Sequence, residues 1–92
     1  ALIGALRERG AHPLGYDPLL SPPEIQRTGT SPWTWGEPSP DIDAIVTQTS
    51  DPQWRTLSPA WFPGLRLLLD GRNSLRDLAL PERVVYRGFG TR

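Results

Sequence analysis

Asp70-Gly71-Arg72-Asn73 is the group whose residue types and spacing best suit chemistry. It follows Leu67, Leu68 and Leu69 in the segment LLLDGRN. An unbroken apolar run reads as a strand buried on both faces, and the carboxyl end of such a strand in an open parallel sheet is where ligands bind. Gly71 lets the backbone turn sharply, and an arginine placed next projects over the sheet edge. Its planar fork takes two phosphate oxygens at once, which the point charge of a lysine does not. On these grounds Arg72 has two roles open to it: a ligand hand, or a structural arginine paired with Asp70 or capping the next turn.

Other chemistry finds little support. Asp17, Asp43, Asp51 and Asp70 are scattered over strand ends and caps, and no spacing pairs them as acid and base. His12, the only histidine, precedes Pro13 in an extended stretch and reads as a surface or edge residue rather than the base of a Ser-His-Asp site. Without cysteine there is no disulfide, thiolate nucleophile or zinc ribbon. The closing GFGTR has neither the full spacing of a Gly-rich phosphate loop nor a helix after it. No catalytic, cofactor-binding or metal-ligating residue is therefore assigned. Trp33 and Trp35 sit two apart in a Pro/Gly/Ser-rich stretch, placed either to stack a base or sugar or to fold back on the core.

The elements that must position Arg72 follow from the patterning. Leu2, Ile3, Ala5 and Leu6 on helical spacing, with Gly10 as terminator, predict a helix over Ala1–Arg9. Ala11–Tyr16 reads as an edge strand, broken by Asp17-Pro18. Ser21-Pro22-Pro23-Glu24 combines a cap serine, a proline in the first turn and a glutamate three after the cap, which starts a short helix to about Arg27. Thr28–Pro40 reads as a loop. Asp43–Thr49, DAIVTQT, is a β-branched run expected to be a buried strand, and Ser50-Asp51-Pro52 starts a helix that Ser58-Pro59 interrupts. Leu65–Asp70 is the second apolar strand, a helical turn is expected around Ser74–Ala79, and a last strand at Arg83–Arg87. Short strands alternating with helices imply parallel pairing with right-handed crossovers, hence a layered α/β domain occupying residues 1–92.

Bulk properties narrow the partners. Ten arginines, with no lysine, balance ten acids, so the positive field that nucleic acid or anionic membrane requires is missing. No stretch approaches the roughly 20 apolar residues of a membrane span, and ALIGALRERG turns charged too early for a signal peptide. A soluble, cytoplasmic protein is the expectation.

Four segments in order resemble the C-terminal, UDP-binding domain of the UDP-glucose/GDP-mannose dehydrogenase family, NAD-dependent oxidoreductases that oxidise the sugar C6 alcohol of a nucleotide sugar to a carboxylate. Leu2–Pro18, LIGALRERGAHPLGYDP, is similar to the family's helix, glycine and "YDP" strand end. Asp43–Trp54, DAIVTQTSDPQW, resembles its "DAIVxxT" strand with an aromatic residue in the next helix. LLLDGRN, Leu67–Asn73, resembles "vvDgRN", and VYRGFGTR, Val85–Arg92, resembles the closing "Y.GiGr". The resemblance implies a three-layer Rossmann-like fold with a mainly parallel sheet. It also implies that Arg72 contacts the nucleotide-sugar substrate, with Asp70, Gly71 and Asn73 as the supporting turn.

The departures shape the expectation equally. The family's opening strand and its FKxxTxDxRxSP segment have no counterpart here, so the usual first, central strand is lacking. The catalytic cysteine, the lysines and the NAD-binding domain are also outside this sequence. The chain is thus expected to bind a UDP-sugar without catalysing or binding NAD by itself. Its expected partners are the dehydrogenase N-terminal domain or another copy, in a homo-oligomer. The rival expectation is a stand-alone remnant acting as an interaction or assembly module. Strand edges left unpaired recruit another chain or close together. Either a partner supplies the strand, or Ala11–Tyr16 pairs with Asp43–Thr49.

Overall fold

The computed structural model describes residues 2–88, in the order α1 (Leu2–Glu8), β1 (Leu14–Gly15), α2 (Pro22–Gln26), β2 (Ser31–Pro32), β3 (Ala44–Thr47), two 3-10 helices (Pro52–Thr56 and Pro59–Trp61), β4 (Leu67–Asp70) and β5 (Val85–Gly88). It is an α/β structure in which every strand pair is parallel: β1 with β2 in one sheet, and β3-β4-β5 in another. The chain divides into two units, residues 1–37 and 38–92. Among the described residues no helix is long and apolar enough to cross a membrane.

In the first unit, α2 starts where the cap signature places it. The Ser21 amide donates to Glu24 Oε1 at 2.8 Å and the Glu24 amide to Ser21 Oγ at 3.4 Å, so two amides that lack helical partners are satisfied reciprocally. Ile25 on the inner face of α2 is buried. β1 and β2 are held by Ser31 N–H to the Pro13 carbonyl (3.1 Å) and Trp33 N–H to the Gly15 carbonyl (2.8 Å). Proline is tolerated at position 32 because residues 31 and 33 supply the donors facing β1. Gly15 is fixed by proximity, since a Cβ there would collide with Thr30 and Ile25 side chains. Tyr16, Trp33 and Trp35 pack on one another with ring centroids 5.1–6.0 Å apart. The tryptophans thus fold back onto Tyr16, making a small aromatic cluster where helix and strand are too short to build a core.

Two expectations are corrected here. The segment 28–40 is not all loop, because Ser31–Pro32 is a strand. That strand is the partner of β1, so Ala11–Tyr16 does not pair with Asp43–Thr49. A two-residue strand carries no periodicity to announce it.

In the second unit, β4 lies between β3 and β5 in the registers Ile45↔Leu68↔Tyr86 and Thr47↔Asp70↔Gly88. One sheet face meets a core of Trp54, Leu57, Phe62, Leu65, Leu68, Leu75 and Val84, all buried. Leu65 and Leu68, at 0% exposure, each contribute about 2–3 kcal/mol by burial. The expected helix after β3 is a 3-10 turn instead: Asp51 caps it through Gln53 N–H at 2.8 Å, and Leu57 has already left helical geometry. Ser58 likewise caps the second turn through Ala60 N–H at 3.3 Å. Residues 74–77 form turns, with Leu78 N–H on the Leu75 carbonyl at 3.0 Å, where a helical turn is expected around Ser74–Ala79; β3 is half exposed rather than buried, because it is an edge strand. The closing GFGTR reaches the described structure only at Gly88, and its remaining residues lie outside it.

Candidate functional site at the carboxyl edge of the parallel sheet

β3, β4 and β5 end level with one another, and the segments that follow β3 and β4 carry the site residues. The organising group is Asp70. Its side chain is completely buried, yet every carboxylate lone pair direction finds a donor: Thr47 Oγ1 (2.7 Å) and Ser74 Oγ (3.4 Å) on Oδ1, and Leu75 N–H (2.7 Å) and Tyr86 O–H (2.9 Å) on Oδ2. Burial alone raises the carboxyl pKa, but the bonds from Leu75, Thr47, Tyr86 and Ser74 outweigh it and hold Asp70 below the ordinary carboxylate range. Tyr86 responds in the opposite sense: burial first, then the bond to Asp70 and its charge, push the phenol up to about 12. The pair is therefore a neutral donor locked on an ionised acceptor.

Asp70 also closes the loop that follows it. The Asn73 amide returns to the Asp70 carbonyl at 3.4 Å and the Leu75 amide to the Asp70 carboxylate, while the Leu75 side chain is buried. Between these pins Gly71 passes so close to β3 that an added Cβ would stand 2.7 Å from the Thr47 carbonyl oxygen, and its amide donates to that oxygen at 2.8 Å. The sharp turn is made two residues later, by Asn73 at φ 56°, a left-handed conformation that asparagine accepts at lower cost than most residues. Gly71 is thus required by close approach rather than by the turn itself.

Arg72 stands between these two residues and is exposed. The structural alternative in which it pairs with Asp70 is not realised, because Asp70 faces the interior and is filled by four other donors. The neighbouring loop, Gln48–Asp51, is held by the Trp54 indole N–H on the Thr49 carbonyl (3.0 Å), which leaves Gln48, Thr49 and Ser50 exposed beside the same edge. This arrangement offers the Arg72 guanidinium and several neutral hydrogen-bonding groups to an anionic, oxygen-rich ligand, with the charges of the exposed Arg76 and Asp77 also acting on Tyr86.

Thr47 and Tyr86 were not legible as site residues from local sequence. The available signal was that the apolar runs DAIVT and LLLD both end in a polar residue, which parallel register places side by side. His12 is exposed in the first unit, on a recess of about 310 Å³ that also includes Arg7, Gln26 and Thr30. The polar groups of that recess are partly spent on the backbone, with Arg7 donating to the Gly29 carbonyl at 2.8 Å and Thr30 to the Ile25 carbonyl at 3.2 Å. No family model matches the chain, and neither the curated proteins nor the solved structures yield a match.

Proposed function

We propose that the chain is a nucleotide-sugar-binding domain of the type found in NAD-dependent UDP-glucose/GDP-mannose 6-dehydrogenases, with a three-layer Rossmann-like ancestry. The observation that carries this reading is the loop pinned at both ends by Asp70, with Arg72 exposed on it at the carboxyl edge of a parallel sheet. A cation held on a fixed loop binds a phosphate with less ordering cost than one on a free tail. Arg72 would take a phosphate or sugar oxygen of a UDP-sugar, and Asp70, Gly71 and Asn73 would position it. The order of the four segments LIGALRERGAHPLGYDP, DAIVTQTSDPQW, LLLDGRN and VYRGFGTR supports the same family.

In this reading the chain contributes binding, and the reaction is completed by groups it does not contain. Its 92 residues include neither cysteine nor lysine, and no Gly-rich loop that would cradle a dinucleotide pyrophosphate. These residues do not fit NAD, which belongs with the N-terminal domain of such an enzyme. The partners are then a UDP-sugar and that domain, or another copy of the chain in a homo-oligomer, in the cytoplasm.

Calorimetric titration of UDP into the wild-type chain, Arg72→Ala and Arg72→Lys tests the assignment. Loss of about tenfold or more in affinity for Arg72→Ala, with Arg72→Lys intermediate, is expected from removal of a charge-assisted bidentate contact. Equal affinities in all three would remove Arg72 from the site.

A further inference from the structure

The loop after β4 carries a second arginine. Arg72 and Arg76 are both exposed, and neither guanidinium has a hydrogen bond or ion pair to another described residue. They stand at the two ends of the pinned segment 73–75. The Asn73 amide, next to Arg72, returns to the Asp70 carbonyl at 3.4 Å, and the Leu75 amide, one residue before Arg76, donates to Asp70 Oδ2 at 2.7 Å. Both pins end on one residue, so the backbone at 72–73 and at 75–76 is gathered at the carboxyl end of β4. The chain around Arg76 is fixed further by the buried Leu75 side chain and by Leu78 N–H on the Leu75 carbonyl at 3.0 Å. The Arg76 charge also acts on the Tyr86 phenol, whose O–H ends on the same Oδ2 at 2.9 Å, which locates Arg76 at this edge.

A structural arginine is spent on the fold, as Arg7 is on the Gly29 carbonyl at 2.8 Å. Arg72 and Arg76 are not, and the carboxylate that anchors their loop, Asp70, is already filled by four other donors. Asp77 is the one acid among residues 71–77, so the loop is cationic. Two like charges on a short loop repel each other unless an anion lies between them. One guanidinium grips two oxygens of one phosphoryl group, and two held by a common anchor match two phosphoryl groups joined in a diphosphate. Because the anchor is built into the fold, little ordering of the backbone is left to be done on binding.

We propose that Arg76 is a second anion-binding residue of the carboxyl-edge site, and that Arg72 and Arg76 together select a nucleoside diphosphate over a monophosphate, each taking one phosphoryl group. The proposal rests on the nucleotide-sugar reading and adds to it a residue that lies outside the DGRN segment. Calorimetric titrations of UDP and of UMP into the wild-type chain, Arg72→Ala, Arg76→Ala and Arg76→Lys test it. The wild-type chain should bind UDP about tenfold or more tighter than UMP, the difference expected of one further charge-assisted contact. Arg76→Ala should lose about tenfold in UDP affinity and bring the UDP-to-UMP ratio down to about one, with Arg76→Lys intermediate. Its thermal midpoint should equal that of the wild-type chain, because the guanidinium has no bond within the described fold to lose. Unchanged UDP affinity in Arg76→Ala, beside a loss in Arg72→Ala, would overturn this proposal and leave the nucleotide-sugar reading standing. Equal affinity of the wild-type chain for UDP and UMP would also overturn it. Equal affinities in all four chains would remove both arginines from the site and the nucleotide-sugar reading with them.

Discussion

At the scale of single residues, the structure separates two neighbours that the sequence presents as one group. Asp70 is turned inward and saturated, and Arg72 is left to solvent. Removing Asp70 strands buried donors, so Asp70→Ala is expected to cost about 2–4 kcal/mol in denaturant unfolding. Tyr86→Phe removes one bond to a charged acceptor and is expected to cost about 1.5–3 kcal/mol. The pH dependence follows from the directions of the shifts. Asp70 is held below its unfolded value of about 4, so its contribution is complete above that value and is lost as pH falls through the folded pKa. Tyr86 is raised above its unfolded value of about 10, so its contribution is complete below pH 10 and is lost as pH rises through about 12. The stability difference between wild type and Tyr86→Phe should therefore be flat from about pH 5 to 9 and shrink above pH 10. A difference that instead vanished near neutrality would show that the Tyr86–Asp70 bond does not stabilise the fold.

At the scale of elements, the loop after β4 depends on how closely it approaches β3. Gly71→Ala places a methyl group 2.7 Å from a backbone oxygen that the sheet holds in place. A cost of about 1–3 kcal/mol is expected, as for other overpacked sites, together with weaker UDP binding as Arg72 shifts. Unchanged stability and affinity would mean that the approach is not a constraint. What was legible in sequence at this scale was local chemistry. The capping box of Ser21 and Glu24, the helix start at Ser50-Asp51-Pro52 with its interruption at Ser58-Pro59, and the apolar β4 all depend on neighbours within a few residues. What was not legible was set by distant partners: β2 as the mate of β1, the edge position of β3, and the bonds from Thr47 and Tyr86 that turn Asp70 from a turn former into a buried anchor.

At the scale of the whole molecule, the burial of apolar side chains is uneven. Among the described residues, 38–92 hold seven of the eight buried hydrophobic side chains, whereas 1–37 hold Ile25 and the aromatic cluster. Local stability follows buried apolar contact, so amides of β4 should exchange with solvent most slowly and those of Ser31 and Trp33 much faster. Uniform protection across both units would contradict that ranking. The central claim, that the carboxyl edge of the β3-β4-β5 sheet receives a nucleotide-sugar phosphate, is tested most directly by following backbone amide chemical shifts while UDP is added. The account predicts the largest saturable changes at Gly71–Leu75 and Gln48–Asp51, moved to about tenfold or higher UDP concentration by Arg72→Ala. Changes centred on Arg7, His12 and Thr30, or changes at the edge whose UDP dependence is the same in Arg72→Ala, would contradict it.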